Sequence, residues 1–214
     1  QTPVPIGNAY RTPETLGRDR LAAAVGAASL YPGRDVLIVD FGTAVTIDLV
    51  TADGTFRGGC ISPGLRSRFR ALHDYTAALP LCSPAEAEEE TGGAAGADTG
   101  ASSGREFGEE AGADTAEDGG AAAEAHSGGE PAQLLGRTTR EAIERGVTNS
   151  LVYEIEGYMA RLQGKIDGLC VIFTGGDAKY LSKRIKNTIF ANRNPDLCGL
   201  DRILEFNVSE EHLE

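Results

Sequence analysis

Tryptophan is absent from this 214-residue chain, methionine occurs once and histidine three times. With so little imidazole, no Ser/His/Asp constellation suggests itself. Any catalysis therefore rests on carboxylates and backbone amides. The four cysteines (Cys60, Cys82, Cys170 and Cys198) show no Cys-x-x-Cys spacing and no histidine in metal-ligand register. Cys60 and Cys170 sit inside apolar runs, where a thiol behaves as a small hydrophobe. No apolar run approaches the roughly 18 residues of a membrane span, and no secretory leader opens the chain. These absences predict a soluble, cytoplasmic protein. Neither Gly-x-Gly-x-x-Gly nor Gly-x-x-x-x-Gly-Lys-Ser/Thr occurs, so Rossmann and P-loop phosphate chemistry are both unsupported.

What the chain does have in excess is acid, and the acid is localised. The formal net charge is -12, and Pro84–Gln133 alone holds 13 acids against one base, Arg105. The other 164 residues hold 19 acids and 19 bases, so the remainder is neutral. No nucleic-acid or membrane partner is expected. From Pro84 to Gln133 there is no Val, Ile, Leu, Met, Tyr or Trp, and Phe107 is the single large apolar side chain. Ordering a residue costs about 1–2 kcal/mol of backbone entropy, and Ala, Gly, Glu and Ser bury little apolar area to offset it. Residues 84–133 are therefore expected to be a disordered surface insertion, which a long loop tolerates at small extra closure cost. A regulatory or partner-binding tail is the functional alternative.

Along the rest of the chain, Thr12-Pro13-Glu14 reads as a helix start. A second start lies at Gly17, and Leu21–Leu30 is Ala-rich and helical. Val36–Val39 is a short continuous apolar run, the mark of a strand covered on both faces, and Asp40-Phe41-Gly42-Thr43 breaks it. Val45–Val50 and Thr55–Ile61 form a hairpin about Asp53-Gly54. Pro63-Gly64 introduces a helix to about Leu79, and Thr138–Leu162 has a long helical pattern. Leu169–Phe173 is a second buried strand, followed by a helix from about Ala178 to Lys186. A short strand near Ile189 and a helix around Leu197–Asn207 close the chain. Hairpins followed by helix–strand alternation indicate an α/β fold with a mixed β-sheet flanked by helices.

Three stretches can carry chemistry. In Val39-Asp40-Phe41-Gly42-Thr43-Ala44-Val45-Thr46-Ile47-Asp48, a strand ends in Asp-x-Gly-Thr and turns back into a strand. Such a bend presents backbone amides to phosphate oxygens, with the Thr43 hydroxyl as a further donor and Asp40 placed to hold a cation; the alternative is an ordinary glycine hairpin. In Leu16-Gly17-Arg18-Asp19-Arg20, a carboxylate in the first turn of a helix can take a proton from an alcohol, and a guanidinium can fork onto a carboxylate. The alternative there is a solvated Asp favoured by the helix dipole. In Phe173-Thr174-Gly175-Gly176-Asp177-Ala178, a strand runs into Gly-Gly and a helix, where a flat ring or ribose can lie against the backbone; a plain strand-to-helix turn is the alternative.

Taken together and in order, these residues resemble the type III pantothenate kinases. The resemblance is carried by Tyr10-x-Thr-Pro-Glu-Thr-x-Gly-x-Asp-Arg20, Val39-Asp40-x-Gly-Thr-Ala-x-Thr-x-Asp48, Ile61-x-Pro-Gly-Leu65, Thr76-Ala-x-Leu-Pro80, Gly136-x-x-Thr139-x-Glu-Ala and Thr174-Gly-Gly. It covers nearly the whole chain outside the insertion. The resemblance implies a ribonuclease-H-like (actin-like ATPase) lobe of the acetate and sugar kinase/heat-shock/actin superfamily. Residues 1–34 would then be the remnant of a first lobe with the substrate-site helix, and residues 35–83 and 134–214 the carboxyl-terminal lobe. It implies transfer of the γ-phosphate of ATP to pantothenate, the first step of coenzyme A synthesis, with Mg²⁺ and a monovalent cation, K⁺ or NH₄⁺. Asp19 corresponds to the catalytic base, and Tyr10, Gly17, Arg18, Asp19 and Arg20 to pantothenate contacts. Thr139 corresponds to a further pantothenate contact supplied by the partner subunit of a homodimer. Asp40 corresponds to the ligand of the monovalent cation, Gly42, Thr43 and Ala44 to phosphate contacts, and Gly175 and Gly176 to the adenosine side. His73 is a candidate lining residue or a helix-surface histidine.

The family pattern opens with a strand and an Asp-x-Gly-Asn-Thr loop, which no segment before Tyr10 supplies. The expectation is a chain that lacks most of the first lobe and is marginally stable or dimer-dependent alone. A non-catalytic nucleotide- or pantothenate-binding regulator is the alternative function.

Overall fold

The computed structural model describes residues 2–84, 134–185, 189–190 and 194–211. The acidic insertion, from residue 85 onward, therefore lies outside the described residues. The elements in order are β1 (Gly7–Asn8), a 3₁₀ turn (Pro13–Thr15), α1 (Arg18–Leu30), β2 (Val36–Phe41), β3 (Ala44–Thr51), β4 (Thr55–Pro63) and α2 (Leu65–Asp74). After the insertion come α3 (Thr139–Gln163), β5 (Cys170–Thr174), α4 (Ala178–Ser182), β6 (Ile189–Phe190) and α5 (Pro195–Glu211).

The strands form one mixed sheet in the order β1-β4-β3-β2-β5-β6. β2–β3–β4 is an antiparallel meander, while β5 joins β2 in parallel. Val36–Val39 of β2 and Cys170–Phe173 of β5 are apolar without interruption because they lie in the middle of the sheet with helices over both faces. Alternation along each strand splits the core in two. Leu37, Val39, Phe41, Val45, Ile47, Val171 and Phe173 point to the side covered by α2, α3 and α4. Val36, Ile38, Val50, Cys170 and Ile172 point to the side covered by α1.

α3 buries Ile143, Val147, Leu151, Ile155 and Met159, one residue per turn, which makes a single stripe against the first of these faces. α1 is different: every residue from Ala22 to Ala27 is buried, because α1 is held between the sheet and α5. Its small residues permit close contact. A Cβ on Gly26 would lie 1.9 Å from the Pro195 carbonyl oxygen, and one on Gly199 would lie 1.8 Å from that of Ala22. The opposite side of α5 turns Leu197, Leu200, Leu204 and Val208 outward.

Three boundaries differ from expectation. β2 does not break at Asp40 but runs through Phe41, because Asp40 pairs with Thr46 on one side and Thr174 on the other. α2 ends at Asp74 rather than near Leu79. The Thr76 hydroxyl donates to the Leu72 carbonyl at 2.6 Å, occupying the acceptor that the next helical amide would use. Tyr75, almost fully exposed, gives a longer helix nothing to bury. α4 stops at Ser182, and Lys186, its expected end, lies outside the described residues.

Candidate functional site at the α1 end of the sheet

Strand register decides which candidates meet. Asp40 stands opposite Thr46 and Thr174, and Asp48 opposite Ile38, one pair further along β3. All four side chains share the parity of Val36 and Ile38, so they face α1. Adjacent strands lie about 4.8 Å apart, which sets Asp40 between two threonines at the end of the three central strands.

α1 brings the next group. Asp19 sits exposed in its first turn and accepts the Arg20 amide at 2.8 Å through its own Oδ1, so the carboxylate is held at the helix start. Arg20 turns inward. Its Nε donates to both oxygens of Asp48, at 3.2 and 3.1 Å, and Nη2 adds a further bond to Oδ1. The side chains are 5% and 1% exposed. The guanidinium carbon lies 5.5 Å from the Tyr10 ring centre and 5.8 Å from that of Phe56, a cation–π setting on two sides. The Asp48 hydrogen bond holds the Arg20 pKa above its ordinary value. Arg20, expected to fork onto a substrate, gives its Nε and Nη2 to Asp48, and it fastens the start of α1 to β3 beside Tyr10.

Two turns complete this end. In the β2–β3 turn Gly42, Thr43 and Ala44 are exposed. The Gly42 amide donates to the Ala44 carbonyl at 3.1 Å, so it is already used inside the turn and only the rest of the bend faces outward. The β5–α4 turn crosses directly beside it. Gly175 adopts φ 92, and a Cβ there would lie 2.3 Å from Asp40 Oδ1 and 2.6 Å from the Phe41 amide. Only glycine satisfies both the backbone angle and this approach. Gly176 is open, with nothing within 4 Å of a Cβ position.

The electrostatics of this end are acidic. Burial pushes the Asp40 carboxyl up to about 6, and the charges of Asp196, Asp19 and Asp48 push the same way. Asp196, in the first turn of α5, is itself raised by burial and by Asp19. Its Oδ1 is buried without a hydrogen-bond partner among the described residues. Arg20 offsets Asp48, so the excess negative charge collects about Asp40, and a bound cation fits that excess. Sequence reading missed Asp196; the signal available was Pro195-Asp196 at a helix start.

Two candidates lie elsewhere. Thr139 opens α3, on the opposite side of the sheet from Asp19 and Tyr10. It lines an apolar groove of about 870 Å³ between α2 and α3 with Leu72, Tyr75, Leu79 and Ile143. His73, exposed on α2, has Nδ1 2.9 Å from the Leu79 carbonyl, which accepts from it. His73 is therefore a helix-surface residue tying down the segment after α2.

Residues 1–104 match the model of the type III pantothenate kinase family. A type III pantothenate kinase of Christiangramia forsetii is 37% identical over 207 residues, 97% of this chain and 67% of the relative. One from Porphyromonas gingivalis is 39% identical over 208 residues, 97% of this chain and 68% of the relative. The chain belongs to the type III pantothenate kinase family. It spans about two thirds of the length of these curated relatives. A conserved Baf family protein of Campylobacter jejuni, known from its crystal structure, aligns over 95% of this chain and 69% of its own with a TM-score of 0.54. At 18% identity that likeness speaks to the fold alone. Among the described residues, no helix of this pantothenate kinase family member is long and apolar enough to cross a membrane.

Proposed function

We propose that this protein transfers the γ-phosphate of ATP to the primary hydroxyl of pantothenate, yielding ADP and 4′-phosphopantothenate for coenzyme A synthesis. The single observation that carries this reading is the meeting, on one side of one sheet, of a helix-start carboxylate, a half-buried carboxylate and two glycine turns.

Each part has a task in phosphoryl transfer. The Asp19 carboxylate accepts the proton of the pantothenate hydroxyl as that oxygen bonds to the γ-phosphorus and the bond to ADP breaks. General-base assistance of this kind is worth about 10²–10⁴-fold. Thr43 and Ala44, exposed in the β2–β3 turn, meet the phosphates, and Gly175 and Gly176 leave room for adenosine. Phosphoryl transfer depends otherwise on alignment and charge neutralisation. Asp40, which feels the charge of Asp196, would hold a monovalent cation, K⁺ or NH₄⁺, whose charge offsets that of the carboxylate and the phosphates. Mg²⁺ would accompany ATP as its counter-ion.

Substrate selection falls to Tyr10, Gly17, Arg18 and Arg20 around Asp19, with Arg20 also fixing Tyr10 and the start of α1 from inside. Thr139 opens a helix on the other side of the sheet, so it would reach pantothenate only when presented by a second copy, as in a homodimer. The sheet and its helices are read as a ribonuclease-H-like lobe of an actin-like ATPase.

The test is ADP release from ATP, Mg²⁺ and K⁺ with and without pantothenate. Release that depends on pantothenate is expected. Release at the same rate without pantothenate, or with an unrelated alcohol in its place, contradicts the reading.

A further inference from the structure

Arg66 is the second residue of α2, and that first turn is fixed to the β2–β3 turn. The Gly64 amide donates to the Thr43 carbonyl at 2.9 Å, and the Ser67 hydroxyl donates to the same oxygen at 2.7 Å. A Cβ on Gly64 would lie 2.1 Å from the Gly42 carbonyl oxygen, so the two segments are in direct contact. The β5–α4 turn is fixed to the same place from the other side, since the Asp177 amide donates to the Phe41 carbonyl at 3.2 Å. Arg66 reaches between them: its Nε lies 3.8 Å from Asp177 Oδ1. The guanidinium thus lies beside the β5–α4 turn, on a helical turn that is itself bound to the β2–β3 turn.

Its attachment is loose. At 3.8 Å the pair is an ion pair without a hydrogen bond. The Arg66 side chain is 79% exposed, and Asp177 is its one charged partner among the described residues. The Asp177 side chain is largely buried, at 16% exposed, so the mobile partner is Arg66, which no hydrogen bond fixes to it. A polyphosphate lying across the two turns would offer oxygens to the same guanidinium, and Arg binds phosphate in a two-pronged manner. The acidic floor formed by Asp40, Asp19 and Asp196 makes a cation at this rim the more necessary for an anionic nucleotide.

We propose that Arg66 is a phosphate-binding residue of the nucleotide site, held by Asp177 in the free protein and released to the nucleotide phosphates on binding. This rests on the reading of the two glycine turns as the ATP site. Asp177 and the phosphates compete for one guanidinium, so the two partners of this pair should respond to substitution in opposite directions.

The experiment is calorimetric titration of ADP, with Mg²⁺, and of adenosine into the wild type, Arg66→Gln and Asp177→Asn. Arg66→Gln should weaken ADP about tenfold or more, the loss typical of one charge-assisted contact, and leave adenosine unchanged. Asp177→Asn should bind ADP as tightly as the wild type or more so. Unchanged ADP affinity in Arg66→Gln overturns the inference. So does an equal loss of ADP and adenosine, or a parallel loss of ADP in both variants, since each marks a bridge that only supports the fold. Wild type that binds neither ligand removes the nucleotide site itself, and this inference with it; every other outcome leaves that site standing.

Discussion

The side of the sheet under α2 and α3 buries Phe41, Phe69, Leu151, Ile155 and Phe173, whereas the side under α1 buries a smaller cluster, Val36, Ile38, Val50, Phe56 and Ile172 against a row of alanines, together with one ion pair, Arg20–Asp48. Large side chains on the first side supply most of the apolar burial, and deleting methylenes there leaves cavities. On the second side, small residues let α1 and α5 come close, and the carboxylates and threonines of β2, β3 and β5 gather at the end of the sheet. One side is packed for stability, while the other gives up apolar area to place charge. The difference shows how a single sheet can carry a rigid core and a reactive site without either intruding on the other.

The sharpest way to break this comparison is to strike the charged side at its buried pair. Asp48→Asn leaves Arg20 buried without its counter-charge, and should cost about 3–5 kcal/mol in urea unfolding. The double variant Arg20→Met/Asp48→Leu, which removes both charges and fills the space, should recover most of that loss. A single variant as stable as the wild type would mean that the pair is solvated and contributes little. On the apolar side, Leu151→Ala should cost about 2–5 kcal/mol by leaving a cavity under α3. It should leave the KM for ATP and pantothenate unchanged in the folded fraction. A shifted KM would show that the two sides are coupled.

A smaller effect sharpens the electrostatic half. Asp40 is pushed from its ordinary 3.8 up to about 6, so the folded chain binds its proton more tightly than the unfolded chain does. Its contribution to stability is therefore most favourable at low pH and declines as pH rises from about 4 to about 6. Thermal melts of Asp40→Asn should match the wild type near pH 4 and exceed it at pH 7. K⁺ should narrow that gap at pH 7, because a bound cation relieves the charge, and should have no such effect on the variant. A wild type that gains stability over the same range would reverse the assignment.

How much of this was legible beforehand follows from the range of each interaction. β2 and β5 were readable because continuous apolar runs between turn residues have few other meanings, and the Gly42 and Gly175 turns because glycine marks them locally. The end of α2 was not, since it depends on one hydroxyl, Thr76, competing for a backbone carbonyl. Asp48 stood inside a recognised motif, but its partner lies 28 residues away, and only the register of β3 under α1 brings them together. Asp196 and the Arg66–Asp177 pair depend on segments distant in sequence meeting at one end of the sheet. Thr139 carries a readable motif, yet which side of the sheet its helix covers is a tertiary fact.

The most direct measurement is the turnover of Asp19→Asn in pantothenate-dependent ADP release, alongside a melt showing that the variant remains folded. Asp19 is exposed at the start of α1 and has no ion-pair partner among the described residues, so the substitution should spare the fold. Loss of about two orders of magnitude or more in kcat, with ADP affinity retained, is the expected result. Turnover near the wild-type value in the folded variant would remove Asp19 from the chemistry and with it the placement of the reaction on the α1 side of the sheet.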